Sequence, residues 1–281
     1  MAAAPSGLIV RYAMKSDVGR SREENEDSAY AGPRLQAVAD GLGGHAAGEV
    51  ASATAIDTLR PLDAAVAPGE LLATLERAVR AADARLHDMI QANPALAGMG
   101  TTLTGLLWSG AQLGLAHVGD SRGYLLRDGE LSQITRDHTV VQALLDDGRI
   151  TAEEAATHPQ RSMVLRALGS PSAEPDLQLR DARPGDRYLL CSDGLYDVVP
   201  AAEIRRVLAT AASPEAGVAE LVDLANAGGG PDNITCVIAE AVAAEPGAAD
   251  HDDTIAADFG PVLPDDTVTA QWTPPPGSAR S

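Results

Sequence analysis

Two pairs of short apolar runs in the middle of the chain are each joined by a turn of about two residues, a spacing that calls for antiparallel hairpins. Thr101–Trp108 and Gln112–Val118 flank Ser109-Gly110, and Tyr124–Arg127 and Leu131–Ile134 flank Asp128-Gly129. Asp-Gly is a strong hairpin signal because the turn it favours needs positive φ at both residues. Further short apolar strands are expected at Leu35–Ala39, Arg187–Cys191 and Asn233–Ile238. Helices are expected at Glu49–Leu59, Glu70–Gln91, Ala201–Ala209 and Pro214–Ala225. In the second of these, Leu71, Leu72, Leu75, Val79, Leu86 and Ile90 recur at helical spacing. Hairpins flanked by long helices define an α+β fold rather than a doubly wound parallel sheet. Residues 138–165 interrupt the strands with a charged helical insertion, His138–Gly148 then Thr151–Thr157, which reads as a flap.

Composition narrows the function classes. The 281 residues carry 40 acidic against 21 basic side chains, a net charge of -19. That excludes a binder of phosphate backbone or of an anionic membrane surface, both of which need a basic face. Two Trp, five Tyr and one Phe are too few to stack single-stranded bases. The two cysteines, Cys191 and Cys236, form neither a disulfide framework nor a metal-type pair, and are read as small buried apolar residues. No run is long and apolar enough to span a bilayer, and the first residues lack the pattern of a signal peptide, so a cytoplasmic protein is expected. After a body of residues 7–240, residues 241–281 read as a disordered acidic tail, in which the stretch 245–281 has seven acidic residues, one Arg and a Pro-Pro-Pro run. Asp252-Asp253-Thr254 and Asp265-Asp266-Thr267 in that tail, each followed by a β-branched apolar residue, are candidate phosphoacceptor sites if they are more than chance.

The chemistry lies where apolar strands run into aspartate. Leu35–Ala39 ends at Asp40-Gly41, and the strand to Val118 ends at Gly119-Asp120. The strand to Cys191 ends at Ser192-Asp193-Gly194, and Asp232 leads directly into the strand from Asn233. Taken singly, each is a turn residue, since Asp-Gly is a common turn pair. Asp128-Gly129 and Asp147-Gly148 are assigned to turns on that ground. Taken together, four strand-end carboxylates with glycine-rich loops at 41–44 and 228–230 suggest a cluster of hard oxygen donors. Such a cluster repels itself unless a cation sits in it. Without a His or Cys group beside it, the expected ions are Mg²⁺ or Mn²⁺ rather than Zn²⁺.

Six ordered segments make the pattern specific. Ser16–Asp27, Ala39–His45, Gly100–Thr102, Gly119–Arg122, Cys191–Leu195 and Gly230–Thr235 resemble, in order and spacing, the motifs of the metal-dependent Ser/Thr protein phosphatases of type 2C, with the bacterial and actinobacterial members nearest in look. The resemblance covers about residues 8–240. It implies a four-layer α-β-β-α sandwich of two antiparallel sheets with flanking helices, and a binuclear Mn²⁺ or Mg²⁺ centre. It implies that Asp40 bridges both ions, that the Gly41 carbonyl ligates the first, and that Asp193 and Asp232 ligate the second. Glu26 and Asp27 would hold metal-bound waters, with Asn233 beside them. Arg22 would clamp the substrate phosphate, a task suited to its planar fork of donors. Asp120, with the Ser162 region of the flap, matches a third-metal position.

The reaction so implied is hydrolysis of phosphoserine and phosphothreonine in proteins, by attack of a hydroxide bridging two metals and without a protein nucleophile. The expected partners are phosphorylated proteins, a Ser/Thr protein kinase among them. The alternatives are a small-molecule phosphomonoesterase of the same fold and a silent phospho-binding module. A silent relative usually lacks a metal aspartate, and Asp40, Asp193 and Asp232 are all present. One departure matters: where animal relatives place a His as general acid, this chain has Leu42, and His45 lies three residues on. Metal-bound water is then the expected proton source. His117 is read as a core residue, His138 and His158 as solvent-exposed, Arg122 as a structural ion pair beside Asp120, and Trp108 as packing.

Overall fold

The computed structural model describes residues 8–43 and 46–244. Among them are, in order, β1 (Leu8–Asp17), β2 (Asp27–Ala31), β3 (Leu35–Leu42), α1 (Ala46–Leu59) and α2 (Leu71–Ala92). Then come β4 (Gly100–Thr101), β5 (Leu103–Ser109), β6 (Gln112–Val118), β7 (Arg122–Arg127) and β8 (Glu130–Gln133). The flap contributes α3 (Val140–Asp146) and α4 (Ala152–Ala156). The chain continues with β9 (Asp176–Asp181), β10 (Arg187–Cys191), α5 (Asp193–Tyr196), α6 (Ala201–Thr210), α7 (Pro214–Ala227) and β11 (Ile234–Ala243).

The strands build two sheets, ordered β1-β11-β10-β7-β8 and β2-β3-β5-β6-β9, with β4 pairing on β3. Every ladder is antiparallel. Alternation along each strand sorts the apolar side chains into three layers. Leu35, Ala37, Leu103, Leu107, Ala116 and Val118 pack with Leu59, Leu75, Val79 and Leu86 of α1 and α2. Tyr124, Leu189, Cys191, Cys236 and Ile238 pack with Ile204, Val207, Leu221 and Val222 of α6 and α7. The opposite faces, Val38, Leu106, Leu113, Leu115, Leu125, Tyr188, Leu190 and Val237, meet between the sheets. Three apolar layers separate four layers of structure, so the chain is an α-β-β-α sandwich. Trp108 belongs to the middle layer, its indole N–H donating to Gln36 Oε1 at 2.6 Å and its ring edge-on to Tyr188.

The hairpins hold with one shift. Asp128 and Gly129 take φ of 53° and 80°, the signs a type I′ turn requires. Ser109 pairs with Gln112, so the β5–β6 turn is Gly110-Ala111, one residue later than expected, with the positive φ on Gly110. The last strand also runs to Ala243, three residues past the expected end of the body. The tail with Thr254 and Thr267, and His45, lie outside the described residues. Among the described residues no helix is long and apolar enough to cross a membrane.

In the flap, Thr139 caps α3 and Thr151 forms a capping box with Glu154 at α4. The neck closes where Val140 N–H donates to the Met163 carbonyl and Leu165 N–H to that of His138. That closure buries His138, expected to be exposed, to 9%. Its Nδ1 accepts from Gly119 N–H at 3.1 Å, which requires the other ring nitrogen to carry the hydrogen, and that Nε2 faces Asp176 Oδ2 at 3.2 Å. His158 is half-buried and its Nδ1 accepts from Gln160 N–H.

Candidate metal centre

Asp40 stands near the end of β3, directly opposite Asp27 at the start of β2. Its backbone is clamped from the next strand. Thr102 Oγ1 accepts from Asp40 N–H, while Thr102 N–H and the Thr101 hydroxyl both donate to the Asp40 carbonyl, each at 2.9 Å. Gly41 follows because nothing larger fits: a Cβ there would lie 2.2 Å from the Gly48 carbonyl oxygen and 2.7 Å from that of Glu26. The glycine thus serves the packing of α1 onto the β2–β3 edge.

Asp193 opens α5 where β10 ends, and Asp232 precedes β11 in the same sheet. Gly194 lets α5 approach Asn233, whose carbonyl oxygen would lie 2.1 Å from an added Cβ. Asn233 is a staple: its Oδ1 accepts from Glu26 N–H, and its Nδ2 donates to the carbonyls of Val18 and Glu24. Residues 18–26 are thereby tied to the root of β11, which brings Arg22 to Asp232 at 2.8 Å. The Gly-rich loop at 228–230 serves the same seam, with Arg20 N–H donating to the Gly230 carbonyl at 2.7 Å. The Glu26 carboxylate packs against Gly48, where an added Cβ would sit 2.7 Å from Oε2. Asp120 follows β6 and is buried; its carbonyl accepts from the Tyr196 hydroxyl at 3.0 Å.

These carboxylates feel one another. Burial raises the Asp40 carboxyl well above the usual range, and the charges of Asp27, Asp193, Asp120 and Asp232 add to it. Asp193 is raised in the same way, by burial and then by Asp120 and Asp232. Asp27 is pushed up to about 6 by burial, against the hydrogen bond from Ser192 and the nearby hydroxyl of Thr235. Asp120 is pushed up to about 6 by burial and the charge of Asp137. Burial alone would lower the Arg22 guanidinium, but Asp232, Glu26 and Asp193 raise it.

Whether a cation fits can be judged from the donors. Ser192 donates to Asp27 Oδ2 at 2.7 Å, while Asp27 Oδ1 is buried with no hydrogen-bond partner. A buried carboxylate oxygen without a donor, inside a ring of like charges, is the setting in which a hard cation or its water is favourable. Among the described residues no three His, Cys, Asp or Glu side chains stand within reach of a single ion. The donor set implied by the motifs is a wider ring that includes the Gly41 carbonyl, and Arg22 holds one oxygen of Asp232 in it. By donor chemistry the residues fit Mg²⁺ or Mn²⁺.

Arg122 makes a structural ion pair as expected, with Asp137 at 2.7 Å, and its guanidinium lies 3.6 Å over the Tyr196 ring. Ser162 sits on the exposed flap, sharing a groove with Leu42. The residues that the sequence did not single out are Thr101, Thr102 and Ser192. All three lie inside the quoted motifs, but their bonds run to strands distant in sequence.

The fold and this site define the class of the protein. The family model for protein phosphatase 2C matches residues 11–234, and the chain belongs to that family. It is 56% identical over 235 residues to the serine/threonine protein phosphatase PstP of Mycobacterium tuberculosis, covering 84% of this chain and 46% of that protein's length. The chain therefore spans about half of that relative. It is 36% identical to the serine/threonine phosphatase stp of Listeria innocua, covering 80% of this chain and 94% of that one. The crystal structure of M. tuberculosis PstP/Ppp superposes with a TM-score of 0.80 at 55% identity, over 83% of this chain and 98% of that one. A structure of the PstP catalytic domain in complex with two manganese ions gives 0.79 at 53% identity, over 84% and 99%.

Proposed function

We propose that the protein hydrolyses phosphoserine and phosphothreonine in proteins with the help of Mn²⁺ or Mg²⁺. The observation that carries the reading is the cluster of strand-end carboxylates in which Asp27 stands directly opposite Asp40, with the unpartnered Asp27 Oδ1 in it and Arg22 on Asp232 at its rim. Asp40, the Gly41 carbonyl, Asp193 and Asp232 would hold two ions, and Asp120 a third. When bound, the ions supply Lewis acidity, lowering the pKa of water and screening the charge of the transferring phosphoryl group.

The chain's own residues do the rest. Arg22 is half-exposed and can turn from Asp232 to a phosphate, which it would grip bidentately. Asp27, fixed by Ser192, and Glu26, fixed through Asn233, orient water in the ring. Water oxygen bonds to phosphorus as the ester P–O bond to the Ser or Thr side chain breaks. Leu42 has no proton to give, so the leaving alkoxide takes one from water.

The catalytic unit, expected over residues 7–240 and carried by β11 to Ala243, with the flap at 138–165, acts in the cytoplasm on proteins phosphorylated by a Ser/Thr kinase. The 2C family match and the names of the relatives support a protein substrate. The test compares a phosphorylated kinase fragment with nucleotides and small phosphomonoesters as substrates of the purified protein. The kinase fragment should be hydrolysed with the higher kcat/KM. A preference for nucleotides would replace this reading with the small-molecule one.

A further inference from the structure

Beside the ring of carboxylates lies a surface of the opposite chemistry. An open groove of about 510 Å³ runs between the end of β3 and the returning limb of the flap, lined by Leu42, Pro159, Gln160, Ser162, Met163 and Val164. Four large apolar side chains stand exposed among the described residues, and two of them, Met163 and Leu165, each at 49%, are on this limb. The other two, Ile9 and Leu179, lie on the sheet-edge strands β1 and β9. The limb is held in place by its backbone. Thr139 pairs with Val164, Val140 N–H donates to the Met163 carbonyl, and Leu165 N–H to that of His138. A groove built this way is organised before anything enters it, which lowers the cost of binding.

We propose that this groove is a specificity subsite for one apolar side chain of the phosphoprotein substrate, close in sequence to the phosphorylated residue. The proposal rests on the phosphatase reading above and names what that substrate carries next to its phosphate. Leu42 is two residues from Asp40, so a phosphate held between Asp40 and Arg22 places the neighbouring substrate residues at the mouth of the groove. Successive Cα atoms are about 3.8 Å apart, which limits the occupant to a residue one or two positions away. Four of the six lining residues, Leu42, Pro159, Met163 and Val164, are apolar, while Gln160 and Ser162 add one neutral amide and one hydroxyl, so the groove suits an apolar side chain better than an ion. A nucleotide or sugar phosphate has no aliphatic side chain to place there, whereas a peptide does.

The experiment uses phosphothreonine peptides that differ by Leu or Ser at one of the two positions on either side of the phosphothreonine, with the full chain and Mn²⁺. At one position Leu should raise kcat/KM about tenfold over Ser, the scale of a small apolar pocket. In Met163→Ser that ratio should fall to about twofold or less, and Met163→Leu should restore it. Met163 is surface-exposed, so neither change removes core packing. Equal kcat/KM for Leu and Ser at all four positions would overturn the subsite and leave the phosphatase reading standing. Failure to hydrolyse any phosphopeptide would overturn both. A dimer in sedimentation that Met163→Ser dissolves would assign the groove to a second copy of this chain and also overturn the subsite.

Discussion

Asp27 and Asp40 face each other across the β2–β3 ladder, two carboxylates in direct register on neighbouring strands. Like charges directly opposite destabilise a sheet. The fold tolerates the pair where Asp27 takes a hydroxyl from Ser192 at only one of its oxygens.

Neutralising one member should therefore help the metal-free fold and harm the ion-binding one. Asp27→Asn keeps an acceptor for Ser192 and removes the repulsion. In excess chelator its Tm should rise by about 2–4 °C, the shift expected for roughly 1 kcal/mol in a domain of this size. Its further gain on adding Mn²⁺ should be smaller than that of the unaltered protein. Thermal denaturation with and without metal checks both, and a lower Tm in chelator would contradict the account.

Arg22 and Asp232 make a second testable pair. The guanidinium competes with any cation for Asp232, and both side chains are partly exposed, so the bond is worth little. Arg22→Ala should tighten Mn²⁺ binding in calorimetry by less than about fivefold. The same change should raise KM for a phosphopeptide more than it lowers kcat, because a ground-state phosphate contact is lost. Weaker Mn²⁺ binding would instead make Arg22 a structural support.

The strands that the sequence pattern left unassigned share a position. β1, β2 and β9 are all sheet edges, whereas the inner strands β3, β5, β6, β10 and β11 read clearly as apolar runs. Edge strands face solvent on one side and carry charge, as Arg11 and Lys15 do in β1 and Asp176, Arg180 and Asp181 in β9, which blurs alternation. Asp40, Asp120, Asp193 and Asp232 were visible as strand-end aspartates. Arg22, Glu26 and Asp27 had no such signal and came from motif resemblance. Arg22 and Glu26 reach the site through Asn233, some 207 residues from Glu26 in sequence, and Asp27 through the β2–β3 ladder. His138 was misread because its burial comes from closure of the flap neck, which no local pattern announces.

His117 gives a pH-dependent signature. Its Nε2 lies 3.0 Å from the Arg136 carbonyl, which can only accept, so the ring donates there, and the Thr104 hydroxyl oxygen lies 2.9 Å from Nδ1. Burial, with the charge of His138, lowers it to about 4 from 6.5. Between those values the unfolded chain binds more protons, so this residue's contribution to stability is lost as pH falls through the window. The raised carboxylates act with the opposite sign, so the comparison must be with His117→Gln. The stability advantage over that variant should shrink by about 3 kcal/mol between pH 7 and pH 4. Urea denaturation across that range checks it, and an advantage that does not vary with pH would contradict it.

Gly41→Ala should cost stability as well as activity. The added methyl would meet two backbone carbonyls with no flexible side chain to yield. A loss of about 1–3 kcal/mol or more in urea unfolding is expected, from overpacking. A variant as stable as the unaltered protein would mean that α1 can shift away from β3.

The central claim is that strand-end aspartates hold the ions that make this chain a phosphatase. The most direct measurement is phosphate release from a phosphothreonine peptide, in Mn²⁺ and in excess chelator, for the unaltered protein and for Asp193→Asn. Release should be Mn²⁺-dependent, vanish in chelator and return on adding Mn²⁺. In Asp193→Asn, still folded by circular dichroism, it should fall by about 3 kcal/mol or more of transition-state stabilisation, roughly a hundredfold. Undiminished release in chelator, or from Asp193→Asn in Mn²⁺, would contradict the account.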